Sequence, residues 1–197
     1  MRPQSFRAVL ALALAAGAVL AVRPAAAAEP EILRLHGNTV DTNNRVRTDT
    51  LDIVIERWST DEEVANLKAV LVENGSDKLL STLQKVKPRC GYVRTSTSLA
   101  WDIGFARVVD LPGGGRKISL ASDRPVGFWE ASRGMRSRDY DFSLAEIRLD
   151  AEGKGEGKAI KAALVSFDKE KNTLTIENYQ REPVRITQIK VVEPKKK

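Results

Sequence analysis

From residue 31 hydrophobic and polar positions alternate, with Leu33 and Leu35 against Arg34 and His36, and again with Leu51, Ile53 and Ile55 opposite Asp52 and Glu56. A period of two marks strands with one buried face. Asn43-Asn44 between the runs predicts a turn, because Asn tolerates the left-handed backbone that tight turns demand. The first unit reads as a long hairpin. The period then changes. Val64, Leu67, Val70 and Leu71 recur at helical spacing behind Ser59 or Thr60, with Glu62 or Glu63 placed to complete a capping box. Asn74-Gly75 stops this helix, and Ser76 opens a second that carries Leu79, Leu80, Leu83 and Val86 on one face and ends at Pro88. An α-helical hairpin is therefore expected over about residues 60–87.

Beyond Pro88 the pattern is almost all strand and turn. Runs at 92–95, 99–109, 116–122, 126–130, 140–149, 157–167, 173–179 and 184–192 are separated by turn residues at short spacing. Pro112-Gly113-Gly114-Gly115 closes one hairpin and residues 168–172 another. With the first hairpin these make ten strand candidates, little room for parallel crossovers, and one helical insertion. The expected fold class is mainly β with a small α insertion: an antiparallel barrel or sandwich of about 8–10 strands carrying an α-helical hairpin.

Residues 1–28 are expected to stand outside that fold as a secretory signal peptide. Arg2 and Arg7 give a charged start, residues 8–22 form an uncharged run of Ala, Leu, Val and Gly, and Ala26-Ala27-Ala28 supplies a small-residue cleavage site. The apolar run falls short of the roughly 20 residues that a spanning helix needs. No Cys follows the cleavage region for lipid attachment, and the leader holds no twin-Arg pair. One β-rich domain over 29–192 and a basic tail at 193–197 complete the expected organisation.

The formal charge of +6 invites a nucleic-acid reading, but three Arg of the leader and Lys195-Lys196-Lys197 account for all of it. The folded body is neutral, so no nucleic-acid partner is expected. The single Cys90 cannot form an internal disulfide, which suits a bacterial periplasm better than a disulfide-dense secreted scaffold. One His and one Cys cannot supply the three or four ligands of a zinc site. No metal and no cofactor are therefore expected. His36 has no nucleophile motif near it and reads as a strand histidine, and Cys90 reads as a small buried hydrophobe beside a strand start. Gly113 to Gly115 precedes a strand, and so lacks the helix N-terminus that cradles phosphate. Asp150, Glu152 and Glu156 lack calcium-loop spacing and read as a turn.

The most unusual stretch is 122–142, SDRPVGFWEASRGMRSRDYDF. It mixes forked cations, carboxylates and large amphipathic rings, a composition suited to recognition. Arg124, Trp129, Glu130, Arg138 and Tyr140 are its candidate ligand-binding residues. The same residues admit a structural reading, in which Asp123, Arg124, Arg138 and Asp139 pair across a loop base while Phe128, Trp129, Tyr140 and Phe142 fill the end of a barrel.

The segments IERWS (55–59), GYVRT (91–95), DRPVGFWE (123–130), RDYDFSLAEIRLD (138–150) and ENY (177–179) together resemble a family of uncharacterised exported bacterial proteins. That resemblance implies a single exported β-rich domain and no particular chemistry. The leading functional expectation is a non-catalytic domain, periplasmic or secreted, that binds a small or elongated amphipathic molecule or an envelope protein at an open end lined by 122–142. The alternatives are a glycoside hydrolase using a carboxylate pair drawn from Asp123, Glu130 and Asp139, and a structural or interaction module.

Overall fold

Strand β1 (Leu33–Asp41) buries Leu33 and Leu35 and pairs antiparallel with β2 (Arg47–Ile55), which buries Leu51, Ile53 and Ile55 on the same side. A computed structural model describes residues 33–43, 46–96, 98–124, 140–179 and 182–192. The expected first hairpin is thus present, and at its loop Asp41 accepts hydrogen bonds from the backbone and side-chain nitrogens of Asn43.

The helical hairpin follows, as α1 (Asp61–Asn74) and α2 (Ser76–Leu83). Thr60 caps α1: its hydroxyl accepts from the Glu63 amide at 3.2 Å, while the Glu63 carboxylate accepts from the Thr60 amide at 3.0 Å. This is the reciprocal arrangement predicted from the spacing. Gly75 joins the helices at φ 80, a left-handed value that a residue with a Cβ adopts at a cost. Helix α2 ends at Leu83, short of the stop expected at Pro88. Its last turn tightens into hydrogen bonds from Lys85 to Thr82 and from Val86 to Leu83, which carry the chain out of the helix before the proline is reached.

Eight further strands follow among the described residues: β3 (Gly91–Thr95), β4 (Trp101–Ile103), β5 (Phe105–Asp110), β6 (Arg116–Ser122), β7 (Phe142–Leu149), β8 (Lys154–Asp168), β9 (Thr173–Asn178) and β10 (Val184–Val191). The sheet runs β4-β3-β2-β1-β10-β8-β7-β6-β5, with β9 beside β8, and every pairing is antiparallel. Its two ends, β4 and β5, are consecutive in the chain and separated only by Gly104. The run 99–109, expected as one strand, therefore breaks there. Its first part pairs with β3 and its second with β6, and the sheet curls into a nearly closed barrel. The amide of Gly104 donates to Ala121 at 3.0 Å, and the Ser122 hydroxyl donates to the Asp102 carbonyl at 2.8 Å, tying the bend to β6. The strand expected at 126–130 lies outside the described residues, as do the leader and the basic tail.

Strand β8 outruns the barrel. Ala159 pairs with β7 on one side and β10 on the other, whereas Ala163 pairs with β7 and β9. Strands β9 and β10 thus lie end to end along one edge of β8, and the β8–β9 hairpin projects past the closed part of the wall.

Two apolar clusters result from the alternation. Ile53, Ile55, Ile118, Ile147 and Ile186 fill the barrel interior with Leu33, Leu35 and Cys90. Their strand neighbours of opposite parity, among them Phe105, Ala121 and Phe142, lie on the outer wall with Val165, which follows the register shift in β8, and there Leu71 and Leu83 of the helices pack against them. The barrel is filled by side chains, and the helical hairpin covers one outer flank.

Candidate functional site

The covering is incomplete. Between the helical hairpin and the outer wall of β5 to β9 lies a cavity of about 320 Å3. Helix α1 supplies one side through Val64, Leu67, Lys68, Leu71 and Val72, positions i, i+3, i+4, i+7 and i+8 of a single helical stripe. That stripe extends about 12 Å at the rise of an α-helix, so this slot is bordered by α1 over two turns. The wall side carries Phe105, Ala121, Phe142, Leu144, Val165 and Phe167. Ala121 is small where a larger side chain would close the space. Leu174 and Ile176 of β9 also line the slot, yet they remain 51% and 45% exposed, so the mouth opens along β9.

Lys68 is the one charged side chain among the described lining residues, and because it is exposed it stands where the slot meets solvent. Its helical neighbours three and four residues away are Val64, Ala65, Leu71 and Val72, so no carboxylate of α1 stands in pairing position.

The hairpin is anchored beside the slot by Arg57. Its guanidinium donates to both carboxylate oxygens of Glu63, at 2.8 and 2.9 Å, and to the carbonyl of Pro88 at 2.6 and 2.8 Å. It therefore links the start of α1 to the segment leaving α2. The guanidinium holds the Glu63 carboxyl below the usual range, aided by the Thr60 amide and against the effect of burial.

Of the residues picked out from sequence, Arg124 lies with its Nε 3.4 Å from Oδ1 of the adjacent Asp123. Tyr140 packs edge-on against Tyr179, with ring centroids 5.4 Å apart, and its hydroxyl donates to Glu177 at 3.5 Å. Neither lines the slot. Trp129, Glu130 and Arg138 lie outside the described residues, as does Asp139. Phe142, at the end of the same segment, is buried and does line it. The slot's own residues were visible in the sequence only as core: the stripe of α1 is a plain amphipathic pattern, and nothing local distinguishes a helix that seals a sheet from one that stands off it.

His36 lies in β1 and Cys90 stands just before the start of β3, as expected. His36 Nδ1 is 2.7 Å from Asp52, which also accepts from Arg94 at 3.1 Å, and the three residues face one another across β1, β2 and β3. The His36 hydrogen bond, with help from Arg94, lowers the Asp52 carboxyl below its ordinary range against the opposing effect of burial. Cys90 is fully buried, its sulfur 3.4 Å from both Ser59 Oγ and the Gly104 carbonyl. Asp150 closes the β7–β8 turn by accepting from the Lys154 amide. Among the described residues no cluster of three or more His, Cys, Asp or Glu could hold a metal ion, and no helix is long and apolar enough to cross a membrane.

No protein-family model, curated protein or solved structure matches the chain.

Proposed function

We propose that this chain is an exported, non-catalytic binding domain that shelters the apolar part of a small amphipathic molecule in the slot under the helical hairpin. The observation that carries this reading is the slot itself: a space of ligand size whose described lining is apolar except for one lysine at the mouth. Ligand sites are concave and mostly apolar, with few polar groups to orient the guest. Buried Leu and Ile side chains occupy the described barrel interior, whereas the outer flank offers open apolar space.

Native mass spectrometry of the gently purified mature protein should show a co-purifying small molecule. Leu67→Trp, which places a larger apolar group in the slot, should release it while the protein still unfolds in one cooperative thermal transition, at a midpoint lowered only by the loss of the guest. A Leu67→Trp protein that folds and keeps its full load would place the guest elsewhere and overturn the reading.

A further inference from the structure

Resting on that reading, we propose that the guest is a single-chain fatty acid, with its alkyl chain along α1 and its carboxylate at the mouth beside Lys68. Three features of the slot select this class. Its volume of about 320 Å3 stands at the lower end of ligand sites, roughly 300–1,000 Å3, which suits one chain rather than the paired chains of a bilayer lipid. Helix α1 lines it over two turns, a length that accommodates an extended chain. Its described lining offers no polar side chain apart from Lys68, so a guest with hydrogen-bonding groups along its length would bury them unpaired, whereas an alkyl chain has none.

The head group follows from charge. Lys68 makes no ion pair among the described residues. Of the three carboxylates in the first turn of α1, Asp61 and Glu63 are engaged by Arg107 and Arg57, and Glu62 is six residues from Lys68, outside the three- and four-residue spacing of helical pairs. An ammonium at the rim of an apolar slot attracts an anion and repels a cation, and at an exposed position it contributes a modest preference rather than the bulk of the affinity.

The test is titration of the full mature protein with decanoate, decan-1-ol and decyltrimethylammonium, which share a chain and differ in head charge. Decanoate should bind about threefold to fivefold more tightly than the alcohol, as an exposed ion pair supports, and the cation should bind most weakly. The preference should shrink as salt is added. Lys68→Met keeps the apolar stem and should erase the difference between acid and alcohol, while Lys68→Arg should retain it. Lys78→Gln, a neutral substitution on the neighbouring helix outside the slot, should leave it intact. Equal binding of acid and alcohol, or an unchanged preference in Lys68→Met, would overturn the assignment of the head group while leaving the slot as a binding site. Failure of all three probes to bind would overturn the slot reading itself.

Discussion

Arg57 and Glu63 show how much one residue pair can decide. The Glu63 carboxylate completes the capping box and receives both arms of Arg57, whose guanidinium also reaches the Pro88 carbonyl. Both side chains are mostly buried, which separates this pair from the more exposed His36–Asp52–Arg94 ladder, where an ion pair is worth little. Glu63→Gln leaves the Thr60 cap in place, since Gln at this position can still accept from the Thr60 amide, and should cost about 1–2 kcal/mol at neutral pH through the charge-assisted hydrogen bonds to Arg57. The pH dependence has a definite sign. Because folding lowers the Glu63 pKa, its contribution is complete above the unfolded value of about 4.3 and is lost as pH falls through the lower folded value. Urea denaturation of wild type and variant should therefore show a gap at pH 7 that narrows below about pH 4. The capping box was legible in Thr60 and Glu63 because its partners are three residues apart. The role of Arg57 was not, because Pro88 lies 31 residues away.

At the scale of elements, the helical hairpin divides its apolar residues between two tasks. Leu71 and Leu83 are buried against Phe142, Ala163 and Val165, whereas Val64 and Leu67 stay half-buried over the slot. Sequence periodicity assigned all four to one kind of position, since a hydrophobic stripe records which face turns inward and not how closely the opposing surface approaches. Leu83→Ala should lower stability by about 2–4 kcal/mol in chemical denaturation, as expected for a buried Leu whose site cannot fully collapse. An unchanged denaturation midpoint would show that the hairpin contributes little to the fold.

The whole molecule turns on Gly104. Two strand ends distant in the sheet order are joined there, and a Cβ at this position would stand 2.9 Å from the Leu83 side chain. Gly104→Val should cost about 1–3 kcal/mol through overpacking. The two positions are in contact and should couple, so the valine should be less damaging in the Leu83→Ala background than in wild type. A double-mutant cycle by urea denaturation measures this directly, and strict additivity would show that α2 does not press on the closing bend.

The sequence by itself determined what is local. The alternation of Leu33 and Leu35 with polar neighbours, the turn at Pro112 to Gly115, the capping box and the Asn74-Gly75 stop depend on residues within one turn or one strand, so they could be read in order along the chain. They sufficed for an antiparallel β fold with a helical hairpin. The tertiary structure decided which strands meet: that the run 99–109 bends at Gly104 to close the sheet, that β9 and β10 share one edge of β8, and that the helices settle on the outer wall of a filled barrel. The slot follows from those long-range choices. Its lining comes from both helices and five strands, and the distance between the two surfaces is set by how Leu71 and Leu83 seat against the wall, a packing outcome that no local pattern encodes.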